Sequence, residues 1–409
     1  MKPDLALVNA GELVTLSSEE ESPLGVIEGG ALVVKDGRVA WAGTTREFRR
    51  KSFMKPGKLV DASGMLVTPG FVDPHTHLVF AGSREDELER KIQGESYVSI
   101  LSKGGGIART MVETRRASTA RLVAEAGQRI SQLVRNGVTT IEVKTGYGQD
   151  VGSEMKLLKV VERLSRTEKA ELVPTLLGLH AKPPEFDTAK QYVDYVVEKM
   201  LPTLAEMRPA FSDCFCEEGV FSREECSRYL RASRSLGLNL KIHADEFSDS
   251  KGASLAAEMG CVSADHLGRS EAPGIEMMAK RGVTAVLLPG TSMYSGIPYA
   301  DAKMIARSGC RIALGTDLSP NSWVESPQLV MALACNEMKM TPADAIKGFT
   351  MNAAGALGRS DIGRLVPGAR ADFAIHDLPG YRFLPYRVGG SYVSAVFREG
   401  AEIYASAVR

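Results

Sequence analysis

The chain has 409 residues, of which 44% are hydrophobic and 24% are charged, and this composition is typical of a globular protein with a sizeable core. Lysine plus arginine equals aspartate plus glutamate at 50 each, so no charge excess favours nucleic acid as a partner. The N-terminus lacks the apolar run of a signal peptide, no later run could span a bilayer, and the six cysteines lack disulfide-framework spacing. We therefore expect a cytoplasmic protein with reduced thiols and no membrane or nucleic-acid partner.

Both ends of the chain have the pattern of short strands and tight turns. Residues 31–43 are typical of a hairpin, with two apolar runs around Asp36-Gly37, and residues 371–376 and 392–400 repeat this style. Neither end is long enough to bury a core alone. We predict that residues 1–67 and 358–409 meet in one small β-sandwich domain. His376 lies in this part of the chain, and we interpret it as structural.

Between the two ends, strand-like runs alternate with amphipathic helical patterns such as 119–135, 192–207 and 223–235. Eight such units favour an α/β fold, a (β/α)8 barrel of the TIM type over residues 68–357. The first crossover, residues 78–137, is overlong and contains Gly104-Gly-Gly106, which is typical of a binding loop. The strand-like runs are 71–77, 138–144, 172–177, 211–217, 238–243, 261–266, 283–288 and 311–317.

Four residues at the ends of these runs form a candidate metal site. His75 and His77 follow an apolar strand pattern, and a spacing of two on an extended backbone sends both imidazoles to the same side. His243 and Asp317 each end a later run, and the carboxyl ends of barrel strands share one face. Three imidazoles and one carboxylate suit a divalent ion such as zinc, which acidifies a bound water towards neutral pH.

Further polar residues at the same face have chemical roles to offer. Glu246 follows His243 by three residues and can serve as a base, and the adjacent Asp245 is the second candidate. His266 ends another run and suits the polarisation of a carbonyl group.

Lys144 leaves two interpretations open. A carboxylated lysine bridges two metal ions in some metal-dependent barrels, whereas a lysine close to Glu142 can form an ordinary ion pair. Because the sequence has no clear second set of ligands, we favour the ion pair and a single metal ion.

Six phrases of the sequence carry a family resemblance. They are Pro69-Gly-Phe-Val-Asp-Pro-His-Thr-His-Leu-Val-Phe-Ala-Gly-Ser-Arg84, Gly104-Gly-Gly-Ile107, Glu142-Val-Lys-Thr-Gly-Tyr-Gly148, Phe215-Cys-Glu-Glu-Gly219, Lys241-Ile-His-Ala-Asp-Glu246 and Gly363-Arg-Leu-Val-Pro-Gly-Ala-Arg-Ala-Asp-Phe373. Across nearly the whole chain the sequence resembles the amidohydrolase superfamily. The first and last phrases are common to that superfamily, whereas Gly-Ser-Arg84 and the segment around Tyr147 are more specific.

The resemblance implies a metal-dependent hydrolase that opens the cyclic amide of 4-imidazolone-5-propanoate to N-formimidoyl-L-glutamate, a step in histidine degradation. It also implies a homodimer and one zinc or iron ion per chain. An arginine offers the substrate carboxylate a two-pronged, charge-assisted bond. The implied residues are His75, His77, His243 and Asp317 for the metal, Arg84, Tyr147, His180 and Glu246 for the substrate, and Glu246, His266 and Asp317 for the chemistry. Whether Glu246 or Asp317 is the main base stays open.

One loop departs from the family phrase. After the metal aspartate the family usually reads Asn-Pro-Gly-Ser, but this chain reads Asp317-Leu-Ser-Pro-Asn-Ser322. Ser319 stands where an asparagine binds the small-molecule ligand, Asn321 replaces a glycine, and Ser322 is retained. Substrate contacts from these three residues are therefore in doubt, and a shifted substrate preference is open.

Two other functions remain as alternatives. The first is another cyclic-amide hydrolase, or an aminohydrolase that acts on a heterocycle. Arg84 argues against a deaminase of neutral bases, because such a substrate has no carboxylate to bind. The second is a metal-binding scaffold without catalysis, which would lack a ligand or a base, and neither is missing from the sequence.

Overall fold

The computed structural model describes residues 2–17, 22–51, 53, 55–95, 99–100 and 103–407. The strands, numbered in chain order, are β1 Leu5–Val14, β2 Val26–Lys35, β3 Arg38–Thr44, β4 Lys58–Asp61, β5 Leu66–Pro69, β6 Phe71–Asp73, β7 Val138–Lys144, β8 Glu171–Leu179, β9 Phe211–Cys216, β10 Asn239–Ala244, β11 Ser263–His266, β12 Thr284–Leu287, β13 Ile312–Leu314, β14 Phe373–His376, β15 Val393–Arg398 and β16 Ala401–Ala405. The α-helices are Thr45–Arg50, Glu85–Ile92, Gly106–Arg116, Thr119–Arg135, Val151–Thr167, Ala189–Tyr195, Leu201–Ala205, Arg223–Ser235, Gly252–Glu258, Ala272–Arg281, Pro289–Ser295, Ala302–Arg307, Pro327–Asn336, Pro342–Gly348, Met351–Ala356 and Phe383–Tyr386, and a π-helical turn spans Val196–Met200.

The central strands form the predicted (β/α)8 barrel. β6 to β13 pair in parallel in chain order, and nearly every residue on them is buried. Buried parallel strands read as continuous apolar runs, which is why the sequence pattern revealed them. β6 and β13 complete the circle through backbone bonds beyond their ends, where the amide of Asp317 donates to His75 and the amide of His77 donates to Leu318.

The first and last barrel strands are shorter than the sequence pattern predicts. β6 spans Phe71–Asp73, so His75 and His77 follow the strand as the sequence indicates, although the strand-like run extends to residue 77. β13 ends at Leu314, so the end predicted for the run 311–317 is wrong. Asp73 accepts hydrogen bonds from the amide and the hydroxyl of Thr316 at 3.1 and 2.6 Å, which joins the two chain segments at the seam. The segments that follow therefore lie over the mouth of the barrel.

Both chain ends build a second sheet, as predicted. Its strand order is β16-β15-β14-β5-β1-β2-β3, with β4 paired to β1, and the antiparallel pair β5–β14 joins the N-terminal and C-terminal parts. The predicted hairpin joins β2 to β3, and its turn residues Asp36 and Gly37 both have positive φ, as a tight two-residue turn requires. β5 crosses the expected boundary between residues 67 and 68, and the domain boundaries stay predictions.

The helices around the barrel follow from their capping residues and apolar faces. Thr119–Arg135 and Arg223–Ser235 have the predicted bounds, and a serine caps each at its N-terminus. The predicted helix 192–207 begins earlier, at a capping box of Thr188 and Gln191, and passes through the π-helical turn. Among the described residues, no helix combines the length and the apolar character needed to cross a membrane.

Candidate active site

Four side chains from three strand ends converge at the mouth of the barrel. Nε2 of His75 and Nε2 of His77 lie 3.5 and 3.6 Å from Oδ1 of Asp317, and Nε2 of His243 lies 3.4 Å from Nε2 of His77. Ligand atoms about 2.1 Å from one tetrahedral ion are ~3.4 Å apart, so these separations fit a divalent ion at the centre. Nε2 of His75 is buried and has no hydrogen-bond partner in the described chain, which also fits a metal ligand.

Buried carboxylates orient two of these imidazoles. Nδ1 of His75 lies 2.7 Å from Oδ2 of Asp265, and Nδ1 of His243 lies 3.2 and 3.1 Å from the two oxygens of Asp213. A proton held on Nδ1 leaves the Nε2 lone pair for a metal. Burial lowers the pKa of His75 well below its ordinary value, and the nearby Lys144 adds to this effect, so the ring is neutral as a ligand must be.

A network of buried charges lies directly beneath the imidazoles. Nζ of Lys144 is 2.6 Å from Asp213, 3.1 Å from Glu142 and 3.4 Å from Asp265. Nζ of Lys241 is 2.7 Å from Glu142 and donates to the carbonyl of Pro74. Burial opposes the charge of Lys144, but the surrounding carboxylates raise its pKa above the ordinary value. Lys144 thus forms the ion pair that the sequence favours, with two additional carboxylates.

The sequence reasoning missed three members of this network, namely Asp213, Lys241 and Asp265. All three are completely buried. A signal for them was available, because charged residues inside predicted barrel strands must have partners when they are buried. Their pairing partners could not be read from the sequence, since they come from different strands.

The two carboxylate oxygens of Asp317 have different partners. Oδ1 faces His75 and His77, and Oδ2 accepts a hydrogen bond from the hydroxyl of Thr291 at 2.5 Å. Burial raises the pKa of Asp317 to about 6, although the bond from Thr291 opposes the shift. Asp317 and His266 also have positive φ, a strained conformation that clusters at functional sites.

Glu246 and His266 face each other beside the metal ligands. Oε2 of Glu246 lies 3.7 Å from Nε2 of His266, and both residues are buried. Burial raises the pKa of Glu246 well above its ordinary value, and the charges of Asp317 and Glu217 add to the shift. A carboxylate with a raised pKa is a better proton acceptor. His266 also belongs, with His75 and Asp317, to a group whose ligand atoms lie within 4.8 Å of one another.

Asp245 is turned away from this centre. Its two oxygens accept hydrogen bonds from the amides of Gly252 and Ala253 at 2.8 and 3.1 Å, and from the hydroxyl of Ser270 at 2.6 Å. These bonds hold the start of the helix Gly252–Glu258. The geometry therefore favours Glu246 over Asp245 as the base.

The residues expected to bind substrate lie around the same opening. The ring of His180 stacks on His77 at 5.1 Å, and the Tyr147 ring is 5.1 Å from His180. Nδ1 of His180 donates to the carbonyl of Gly146 at 3.1 Å, and a Cβ at Gly146 would lie 2.9 Å from that nitrogen. Burial lowers the pKa of His180 to about 3, so its Nε2 is available as a hydrogen-bond acceptor.

Arg84 is buried at 5% exposure, at the start of the helix Glu85–Ile92. Its Nε donates to the hydroxyl of Thr110 at 2.8 Å, whereas its Nη2 has no hydrogen-bond partner among the described residues. A guanidinium group that is buried with an open donor is well placed to bind an anion.

The loop that departs from the family phrase folds back on itself. The amide of Ser322 donates to Oγ of Ser319 at 3.2 Å, and the amide of Ser319 donates to the carbonyl of Ser322 at 3.1 Å. Ser319 and Asn321 line the cavity at the metal group, whereas Ser322 is buried and does not line it. The structure thus brings Ser319 and Asn321 to the site and leaves Ser322 beside it.

Two adjoining cavities give access to the site. The inner cavity has a volume of about 50 Å³, enough for an ion and water but not for a heterocycle with a side arm. The outer cavity has a volume of about 1140 Å³. The inner lining includes the imidazoles of His77, His180, His243 and His266 together with Arg84. Ile107, His180, Phe215 and Phe247 line both cavities and form the boundary between them.

A parallel barrel with three imidazoles and a carboxylate at its carboxyl end defines the class as a metal-dependent hydrolase. The model of the amidohydrolase family matches residues 66–402 of the chain. An imidazolonepropionase of Parabacteroides distasonis is 43% identical over 406 residues, which cover 97% of each chain. Imidazolonepropionases of a Geobacillus species and of Clostridium tetani are 42% and 40% identical and are matched over 99% of their lengths.

Solved structures of lower sequence identity share the fold. An adenosine deaminase from Xanthomonas campestris with bound zinc has a TM-score of 0.75 at 17% identity, over 98% of this chain and 93% of that one. The guanine deaminase of E. coli has a TM-score of 0.74 at 17% identity, over 98% and 99% of the two chains. The chain belongs to the amidohydrolase family and, within it, to the imidazolonepropionases.

Proposed function

We propose that the protein hydrolyses the cyclic amide of 4-imidazolone-5-propanoate to N-formimidoyl-L-glutamate in histidine degradation, with one zinc or iron ion on His75, His77, His243 and Asp317. Family membership and the convergence of these four side chains support the proposal. The ion would acidify a water molecule and polarise the ring carbonyl.

The observation that carries the substrate assignment is the open donor of Arg84. Nη2 of Arg84 is buried without a partner in the described chain, and Arg84 lines the same inner cavity as His77 and His243. The propanoate carboxylate supplies the anion that this donor lacks. A buried, charge-assisted bond of this kind positions the ring over the metal group.

The heterocycle would lie at the boundary between the two cavities, against side chains that line the inner one. Nε2 of His180 faces away from the Gly146 carbonyl and can accept a hydrogen bond from a ring N–H. Tyr147, whose ring is 5.8 Å from His77, can bond the ring on the same side. His180 and Tyr147 are neutral hydrogen-bonding groups, which suit a neutral ring, whereas the cationic Arg84 suits the charged arm.

Glu246 and His266 would divide the proton transfers. Glu246 takes a proton from the attacking water at its carboxylate, and gives it to the ring nitrogen when the C–N bond breaks. His266 donates a hydrogen bond to the carbonyl oxygen as negative charge develops there. Their separation of 3.7 Å supports this division, because both groups could then reach one substrate carbon. Ser319 and Asn321 line the same cavity, and Ser322 supports their loop.

The homodimer and the cytoplasmic location stay predictions. The substrate is a small molecule, and the inner cavity is too small to admit a polymer segment.

The test is an assay of purified protein supplied with zinc or with iron. The imidazolone absorbance should decay, and chromatography with mass analysis should find N-formimidoyl-L-glutamate in equal amount. Release of ammonia in place of the ring-opened product would instead support the aminohydrolase alternative. Absence of any change with either metal would contradict the proposed reaction.

A further inference from the structure

The helix that begins beside Arg84 carries a second cation towards the same cavity. Arg84, Glu87 and Lys91 follow one another at spacings of three and four, so they lie on one face of the helix Glu85–Ile92. Nζ of Lys91 donates to Oδ1 of Asn321 at 2.8 Å. Lys91 is half-buried, whereas its neighbour Ile92 on the next face is exposed. The lysine is therefore directed at the site.

Asn321 holds this lysine from the opposite side of the opening. Nδ2 of Asn321 donates to Oγ of Ser295 at 3.3 Å, so both ends of the amide are engaged. Asn321 lines the inner cavity together with Arg84, and Lys91 lines the outer cavity. Nζ of Lys91 thus lies at the junction of the two cavities. Asn321 is also one of the two positions, with Ser319, at which the chain departs from the family phrase.

The charges on this helix face leave one positive charge in excess. Oε1 of Glu87 accepts a hydrogen bond from the amide of Gly106 at 2.7 Å, and its Oε2 is buried without a partner in the described residues. One carboxylate therefore stands beside two cations. Burial lowers the pKa of Lys91, Glu87 opposes this effect, and the charge of Arg84 adds to it. Lys91 and Arg84 consequently repel each other, and an anion bound by both would relieve this repulsion.

We propose that Lys91, positioned by Asn321, is a specificity-determining residue whose ammonium binds the carboxylate of the substrate's side arm together with Arg84. The inference rests on the proposed function, because it assigns a second partner to the same propanoate group. Arg84 supplies a planar fork inside the inner cavity, and Lys91 supplies a point charge at its entrance. A tether that merely joins the helix to the loop would make the same contact with Asn321 but would not distinguish charged from uncharged ligands.

The chain offers a matched control for Lys91. Lys182 also lines the outer cavity, but its Nζ donates to the carbonyl of Phe186 and it does not line the inner cavity. Lys91→Met and Lys182→Met each remove one positive charge from the lining of the outer cavity. Lys91→Arg keeps the charge and the donor, and Asn321→Gly releases the lysine without removing it.

Binding to the zinc-loaded protein separates the two explanations. Calorimetry would compare 3-(imidazol-4-yl)propanoate, which carries the arm, with 4-methylimidazole, which lacks it. Lys91→Met should weaken binding of the acid about tenfold and change 4-methylimidazole by less than about twofold. Lys91→Arg should restore most of the loss, Asn321→Gly should lose about threefold, and Lys182→Met should match the wild type.

Equal weakening of both probes by Lys91→Met would overturn the proposal, because it would show a structural tether. Equal effects of Lys91→Met and Lys182→Met on binding of the acid would also overturn it. The weaker binding would then follow from the total charge of the outer cavity rather than from a contact with Lys91. The binding test does not depend on turnover. Wild-type protein that binds the acid but leaves the imidazolone ring intact would contradict the proposed reaction, while the comparison of the variants would still decide the role of Lys91.

Discussion

Asp265 accepts a hydrogen bond from Nδ1 of His75 at 2.7 Å, and neither side chain has any exposed surface. The same carboxylate accepts a bond from the hydroxyl of Ser263 at 2.6 Å and lies 3.4 Å from Nζ of Lys144. These contacts hold the Asp265 carboxylate in one orientation, and its bond to Nδ1 in turn fixes the orientation of the His75 ring. Its negative charge also makes the opposite nitrogen, Nε2, a stronger metal ligand.

Replacement of Asp265 by asparagine should weaken metal binding about 10- to 100-fold, because the amide cannot hold the His75 proton as a carboxylate does. Competition with a chromogenic chelator would measure the affinity for zinc. The size and shape of the side chain are preserved, so a folded protein with a weaker site is expected.

Asp245→Asn is the control for this change. Asp245 is also a buried carboxylate near a strand end, but its bonds go to Gly252, Ala253 and Ser270 rather than to a metal ligand. This variant should lose thermal stability and keep the zinc affinity of the folded protein. If both variants lose affinity equally, orientation of His75 by Asp265 is not the cause.

Glu246→Gln tests the assignment of the base. The amide keeps the size and hydrogen-bonding capacity of the side chain but cannot accept a proton, so turnover should fall by ~10²-fold or more. Metal content, measured by elemental analysis, should stay near the wild-type value, whereas His243→Ala should lose the metal. Near-normal turnover of the Gln variant would indicate that Asp317, rather than Glu246, is the general base.

Arg84 tests the recognition of the charged arm. Arg84→Ala should lower kcat/KM by ~30- to 1000-fold, equivalent to roughly 2–4 kcal/mol, because a buried and partly desolvated charge pair is lost. Arg84→Lys keeps the charge without the planar fork and should recover only part of this loss. Steady-state kinetics would measure both variants.

An imidazolone without the propanoate arm is the control substrate for these variants. It should react poorly with the wild type and respond little to Arg84→Ala. Equal losses on the full and the truncated substrate would show that Arg84 is structural, through its bond to Thr110.

The barrel could be predicted because its strands and helices follow local rules. The run 138–144 and the helices Thr119–Arg135 and Arg223–Ser235 agree with the structure at both ends. The end of β13 could not be predicted, since the bonds between Asp73 and Thr316 at this point join distant parts of the chain. Sequence patterns report local periodicity, and the barrel seam is a contact between distant parts of the chain.

The candidate site was predictable to a similar depth. His75, His77, His243 and Asp317 stand at strand ends, and their convergence follows from the barrel geometry. The contacts that support them did not follow. The hydrogen bonds from Thr291 to Asp317 and from Lys91 to Asn321 each join two separate crossover segments. Only the folded chain brings such side chains together.

His376 gives a test of stability that is independent of the metal group. It lies on β14, is completely buried, and its Nε2 is 2.9 Å from the hydroxyl of Thr68. Burial lowers the pKa of His376 to about 3, from an ordinary value of 6.5. As the pH falls below about 6.5, His376 therefore binds a proton in the unfolded chain but stays neutral in the folded chain. The stability contributed by the neutral ring is complete above pH 6.5 and is lost as the pH falls towards 3.

Between pH 7 and pH 5 this linkage should reduce the free energy of unfolding by about 2 kcal/mol. His376→Gln keeps a polar atom near Nε2 but does not titrate, so its unfolding free energy should fall by about 2 kcal/mol less than that of the wild type. Urea unfolding of both proteins at the two pH values would measure the difference, and any loss of metal at low pH affects both alike. Thr68→Val leaves the buried imidazole in place, so it should be less stable than the wild type but keep the wild-type pH dependence. The same pH dependence in His376→Gln as in the wild type would show that His376 gains its proton as easily in the folded chain as in the unfolded one.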